Sequence, residues 1–135
     1  MTRLITTVLA AYLLGMSTCV ALPALIWGFD TITGEIVSVA DTRKEMFGSG
    51  GIVIHLRKTA GVDQKVAKEM FREIRRSGYK PKRITLRADE VVLILDPKER
   101  AHLKIGMRVR ISKYSLMKAE KGIVRAGECR SIENL

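Results

Sequence analysis

The chain has 135 residues, a length that suits one small domain with an additional segment and excludes two full domains. Hydrophobic residues make up 47% of the sequence, which is ordinary for a globular protein, and two cysteines are too few for a disulfide-rich scaffold. The net charge is +10, and Arg3 is the single charged residue before Asp30, so the rest of the chain holds 23 of the 24 basic residues against all 14 acidic ones. A domain with this charge attracts nucleic acid, anionic lipid headgroups or acidic protein surfaces.

The first predicted element is an uncharged run of 26 residues from Leu4 to Phe29. Roughly 20 apolar residues suffice for a helix to cross the hydrocarbon core of a bilayer. Trp27 and Phe29 stand at the far end of the run, a position typical of aromatic side chains at the membrane interface. The run therefore predicts a membrane anchor, a single transmembrane helix over residues 4–29.

A cleaved signal peptide is the competing interpretation of this run, because the small residues Cys19 and Ala21 would permit cleavage after Ala21. Since Arg3 precedes the run, the positive-inside rule places the following domain outside the cytoplasm. Both interpretations predict residues 1–29 as an anchor or signal segment and residues 30–135 as a basic, β-rich extracytoplasmic domain. The anchor places the protein in the inner membrane with the domain facing the periplasm or exterior, whereas cleavage makes it periplasmic or secreted.

Two strands and one helix are predicted in the first half of the domain. Thr31–Ala40 is rich in β-branched residues, and Gly51–Arg57 alternates two strand faces after a glycine-rich turn. Asp63–Ser77 changes to helical spacing, with an apolar stripe of Val66, Ala67, Met70, Phe71 and Ile74. Asp63 is the predicted N-cap, and Gly78 follows the last turn.

Strands and a capped turn follow the helix. Arg83–Arg87 and Val91–Leu95 are predicted as a hairpin or as one interrupted strand, and Val91–Leu95 is expected at the centre of the sheet because it is continuously apolar. Asp96 is the predicted cap of a short helix with Pro97 at its first position. Gly122–Ala126 is a weaker strand, and residues 130–135 are expected to fray.

Met107–Lys113 alternates apolar and polar residues, which predicts a half-buried strand. The step Leu103-x-x-Gly106-x-x-Val109 resembles the turn that precedes a barrel strand in OB-type folds. The predicted fold class is α+β and mainly β. It comprises the transmembrane helix and a small antiparallel sheet or OB-like partly closed barrel with one amphipathic helix.

The sequence shows no recognisable catalytic or metal-binding constellation. His55 and His102 lack further ligands at the spacing of a metal site, and both are interpreted as surface or boundary histidines. The glycine-rich turn at residues 48–51 lacks the Lys-Ser/Thr of a phosphate loop, and Cys129 is expected to be a small buried thiol. We therefore predict no enzyme, no catalytic or metal-binding residue and no cofactor.

Basic residues cluster where the predicted helix ends and again on one later strand. The candidate binding residues for an anionic partner are Arg72, Arg75, Arg76, Lys80, Lys82, Arg83, Arg108 and Arg110. The expected function is that of a membrane-tethered, non-enzymatic binding or assembly module of the cell envelope, whose partner is an envelope protein complex, an anionic lipid or a glycan. The alternative is an OB-like nucleic-acid-binding module, for which few aromatic residues are present to stack bases: Phe47, Phe71, Tyr79 and Tyr114.

Overall fold

The computed structural model of the protein describes residues 26–43, 50–118 and 122–135. These residues form strands, one α-helix and a short 3₁₀ helix at Pro97–His102. The strands and the α-helix are β1 (Ile26–Thr42), β2 (Gly51–Ala60), α1 (Gln64–Arg76), β3 (Val91–Leu95), β4 (Arg108–Lys118), β5 (Val124–Ala126) and β6 (Ser131–Asn134).

The strands form one antiparallel sheet in the order β3-β2-β1-β4-β5, and β6 pairs with the first half of β4, at Val109–Ser112. The long strand β1 pairs with β4 from Ile26 to Glu35 and with β2 from Thr33 to Thr42, so that one strand belongs to both arms of the sheet. The result is a curled half-barrel with one helix. The predicted mainly β class is confirmed, and the arrangement is consistent with an OB-like barrel.

The predicted transmembrane helix falls on residues 4–29, of which residues 4–25 lie outside the described residues. No helix within the described ranges is long and apolar enough to cross a membrane. Ile26–Phe29, which the sequence analysis assigned to the end of the anchor, form the start of β1 instead. The spacing of Trp27 and Phe29 by two residues matches the period of a strand, and both side chains are buried in the domain.

The bend in β1 occurs at Asp30 and Thr31. Phe29 and Ile32 are both buried although they are three residues apart, so the inward-facing phase of the strand changes between them. On the facing strand the phase changes in parallel between Tyr114 and Ile111, where Lys113 adopts a φ of 55°. The Lys113 Nζ lies 3.0 Å from the Asp30 Oδ1, across the bend. Because both strands shift together, their buried faces stay aligned while the sheet curls.

Helix α1 connects the two arms of the curled sheet. Its N-cap is Asp63, as predicted, and the Asp63 carboxylate accepts hydrogen bonds from the Lys65 and Val66 amides at 3.0 and 3.4 Å. The apolar stripe of the helix packs on β3. On its other side, the Trp27 indole Nε1 donates to the Glu69 carboxylate at 3.1 Å. The helix therefore lies across the open side of the half-barrel.

Three predicted elements differ from the structure. Arg83–Arg87 is a series of bends and not a strand, because its backbone and side chains are held by a carboxylate described below. Ser131–Asn134 does not fray but pairs with β4 as β6. Val91–Leu95 is a strand, but it is the last in the hydrogen-bonding order and not a central one. Its five residues are nevertheless all buried.

Tyr114 explains how β3 can be both an edge strand and a buried one. Its hydroxyl donates to the Ile94 carbonyl oxygen and accepts from the Ile94 amide, both at 2.9 Å. The hydroxyl thus gives the outer edge of β3 the two hydrogen bonds that a neighbouring strand would supply. Burial raises the pKa of the Tyr114 hydroxyl well above its usual value, which keeps it protonated as a donor.

Replacing Tyr114 with Phe should lower the free energy of unfolding by about 1–3 kcal/mol, because the Ile94 amide and carbonyl would be left buried without partners. Urea denaturation of the purified protein measures this. The matched control is Tyr79→Phe, since the Tyr79 hydroxyl is half-buried and makes no hydrogen bond within the described residues; we expect a change within about 0.5 kcal/mol. Equal losses in the two variants would contradict the role assigned to Tyr114.

Candidate anionic-partner binding surface

The segment from Ser77 to Glu90 leads from the end of α1 to the start of β3. The helix ends as predicted, since Gly78 has a φ of 118° and its amide donates to the Arg75 carbonyl at 3.1 Å. A residue with a side chain would be strained in this conformation. The chain turns here and carries the following residues away from the helix axis and over the sheet.

Glu90 holds this segment in place. Its side chain is 5% exposed, and both of its oxygens accept from the Arg83 Nη2 at 2.9 Å. The Arg87 amide donates to the same carboxylate at 2.8 Å. Burial alone would raise the pKa of Glu90. The hydrogen bonds from the Arg87 amide and the Arg83 guanidinium lower it by more than burial raises it, so the pKa lies below its usual value. Glu90 is therefore a structural anion that neutralises Arg83, one of the predicted binding residues.

His55 lies beside the same carboxylate. Its Nε2 is 3.4 Å from the Glu90 Oε2 but makes no hydrogen bond among the described residues. Burial lowers the pKa of His55 below its usual value, and the charge of Glu90 opposes this shift only in part. From the sequence alone His55 is a surface or boundary histidine; the structure places it next to the Ser77–Glu90 segment, in contact with the Glu90 carboxylate that fixes that segment.

Five predicted cations lie together outside this cluster, and we call them the basic face: Arg72, Arg75, Arg76, Lys80 and Lys82. All except Lys82 line a pocket of about 520 Å³, together with Tyr79, Pro81 and Ile84. Of the residues that the structure describes, those that line this pocket include no carboxylate. Lys82 lies at the adjacent pocket, which is lined by Tyr79 and His55 among others. The pocket thus combines positive charge with a small apolar surface.

The cations of the basic face differ in how far they are already paired. The Arg76 Nη1 is 2.9 Å from the Glu73 Oε2, and the Arg75 guanidinium lies 5.8 Å from the centre of the Phe71 ring. Within the part of the chain that the structure describes, no ion pair involves the remaining three: Arg72, Lys80 and Lys82. These three side chains are exposed and available to an anion.

Arg108 and Arg110 belong to a different part of the surface. They lie at the start of β4, whereas α1 is attached to the end of that strand through Lys118 and Glu73. The Arg110 Nη1 is 3.1 Å from the Glu133 Oε1 on β6. The predicted set of eight residues therefore divides into the basic face, the paired Arg83 and a separate pair of arginines on β4.

Glu90 and Ile84 could not be recognised from the sequence as parts of this surface. The one sequence signal for the burial of Glu90 is its position directly before a continuously apolar strand. Cys129 is half-buried and its pKa is raised by burial. Among residues 26–43, 50–118 and 122–135, no group of three or more His, Cys, Asp or Glu side chains could hold a metal ion.

Comparison with known proteins gives no assignment. No protein-family model matches the chain, and neither the curated proteins nor the solved structures include a significant match. The function must therefore be argued from the surface itself.

Replacing Glu90 with Gln should lower the free energy of unfolding by about 1–3 kcal/mol, because it removes the buried negative charge that pairs with Arg83 and turns one of the two acceptor oxygens into a donor. It should also make residues 80–87 more susceptible to limited proteolysis. The control Glu133→Gln removes an exposed ion pair with Arg110 and should cost at most about 1 kcal/mol. A larger loss in the control than in Glu90→Gln would contradict the anchoring role.

The stability of the protein should also fall with decreasing pH through His55. Burial lowers the pKa of His55 in the folded state, so the unfolded chain takes up the proton first as the pH falls below about 6.5. The free energy of unfolding should therefore decrease between about pH 7.5 and pH 5.5, a range in which ordinary carboxylates stay ionised. The free energy of unfolding of the His55→Gln variant should decrease less over this range, as measured by urea denaturation at each pH. If the free energies of the two proteins fall in parallel with pH, the role assigned to His55 is refuted.

Proposed function

We propose that this protein is a membrane-tethered, non-enzymatic binding or assembly module of the cell envelope that docks an anionic partner through the basic face. The observation that carries the proposal is the pocket beside α1, which is lined by four cationic side chains and no carboxylate. Opposite charges in proteins are usually interspersed, so a concave surface of one sign favours a ligand of the other sign.

The tether is proposed from the sequence, and the fold leaves room for it. Residues 4–25, which precede β1, are 22 uncharged residues, still more than the roughly 20 that a membrane-spanning helix requires. With Arg3 on the cytoplasmic side, the domain would face the periplasm or exterior. The inner-membrane location and the envelope partner are parts of this proposal.

A nucleic-acid-binding function is the alternative, and the curled half-barrel together with the positive charge favours it. Single-stranded nucleic acid is bound by stacking its bases on accessible aromatic rings. Phe71 and Tyr114 are buried in the core, at 5% and 2% exposure, and Tyr79 is half-buried. Of the candidate stacking residues that the structure describes, only Tyr79 is partly exposed. We therefore favour a partner recognised through its negative charge over one recognised by base stacking.

The proposal predicts that reversing the charges of Arg72, Lys80 and Lys82 together, each to Glu, weakens the binding of a polyanion by about tenfold or more at about 0.1 M salt. These three residues are chosen because the described structure gives them no ion pair to lose. The probe is fluorescent inorganic polyphosphate, and the readout is its anisotropy with the full chain in nanodiscs of neutral lipid.

The control variant reverses three exposed cations elsewhere, Lys98, Lys104 and Arg130, and so changes the net charge equally. It should weaken binding by no more than about threefold, because long-range attraction alone is screened within about 10 Å at 0.1 M salt. Equal weakening in both variants, or no binding of the probe at low salt, would contradict a binding site on the basic face. Circular dichroism of each variant checks that the fold is retained.

A further inference from the structure

The start of β1 lies at one defined end of the domain. Ile26 pairs with Met117, next to the last residue of β4, and Lys118 pairs with Val124 at the start of β5. At the opposite end of β4 lies Arg108, whose carbonyl oxygen accepts a hydrogen bond from the Leu135 amide. The chain therefore enters the domain at the end formed by the end of β4 and the start of β5, which we call the entry end.

The C-terminal half of α1 is bound to the entry end by three contacts. The Trp27 indole donates to Glu69, and the Lys118 Nζ is 3.2 Å from the Glu73 Oε1. One turn further, the Ser77 hydroxyl accepts from the Val124 amide at 3.1 Å. These contacts involve β1, β4 and β5 in turn, so successive turns of the helix lie along this end of the sheet.

The basic face is consequently part of the entry end. Arg76 and Lys118 bind the two oxygens of the same Glu73 carboxylate. Arg72 and Arg75 lie in the same half of the helix, and Lys80 comes two residues after Gly78 and lines the same pocket. Arg125 on β5, which pairs with Met117, is a further exposed cation at the entry end of the sheet.

The apolar residues exposed at this end complete the surface. Ile26 is 64% exposed at the first position of β1, and Ile84 is 67% exposed where it lines the pocket of the basic face. Exposed aliphatic side chains among cations are typical of surfaces that bind at the boundary between lipid headgroups and acyl chains.

We infer that the partner of the basic face is the anionic lipid headgroup layer of the membrane that residues 4–25 enter. The inference rests on the proposed tether and names the partner of the proposed function. Strand β1 begins at Ile26, directly after the uncharged segment, and a chain spans at most about 3.6 Å per residue. The entry end is therefore held within a few residues' reach of the headgroup layer.

Headgroup contact can be measured on the full chain in nanodiscs. In a background with Cys19 and Cys129 replaced by Ser, a fluorophore is attached at Ile84→Cys and is quenched by nitroxide-labelled headgroups. Quenching should increase about twofold or more from pure phosphatidylcholine to discs with about 30% phosphatidylglycerol, and should return to the neutral level in about 0.5 M salt. The intact mass of the preparation verifies that residues 1–25 are retained.

Two controls use the same quenching assay. The fluorophore at Ile105→Cys, an equally exposed position just before the opposite end of β4, should be quenched weakly in every disc. Reversal of Arg72, Lys80 and Lys82 to Glu should abolish the lipid-dependent increase at Ile84. Equal quenching at the two positions, or no dependence on phosphatidylglycerol, would overturn the inference.

The outcome is separable from that of the proposed function. If polyphosphate still binds the basic face in neutral discs but quenching at Ile84 ignores lipid charge, headgroups are not the partner and the binding function stands. If neither polyphosphate nor anionic lipid is bound, both proposals fail. If quenching at Ile84 ignores lipid charge and a single-stranded oligonucleotide binds the basic face, the partner is nucleic acid and the lipid assignment is overturned.

Discussion

The fold depends on one side chain that substitutes for a strand. A curled sheet that does not close leaves the backbone groups of its last strand without partners, and burying them in that state is costly. Here the Tyr114 hydroxyl reaches from β4 across the interior to both polar groups of Ile94. This contact allows β3 to be an edge strand and yet be covered by α1, and the position of α1 in turn places the basic face.

A second buried polar group has the same function on the outer side of the domain. The Glu90 carboxylate accepts hydrogen bonds from the Arg83 guanidinium and the Arg87 amide, and so fixes a loop that has no regular secondary structure. The loop carries Lys80, Lys82 and Ile84 to the surface next to the helix. The shape of the candidate site is therefore determined by an acidic residue that does not itself face a ligand.

Strands and the helix with strong periodicity could be predicted from the sequence, and so could the caps at Asp63 and Asp96. The start of β1 could not, because an uncharged run looks the same whether it enters a bilayer or a protein core. The clustering of cations after α1 follows from sequence spacing alone. The separation of Arg108 and Arg110 from that cluster does not, because it depends on the direction of β4 relative to the helix.

The placement of the first and last described residues at opposite ends of β4 has a mechanical consequence. Nine residue pairs join β1 to β4, from Ile26 to Glu35. A load applied between Ile26 and the C-terminus runs parallel to these strands, so it shears the pairs together and does not peel them apart one by one. Shear is the geometry in which a β-sheet yields most slowly, and forced unfolding is governed by that rate. The same load also passes through the four pairs that join β6 to β4, so the short strand β6 yields before β1.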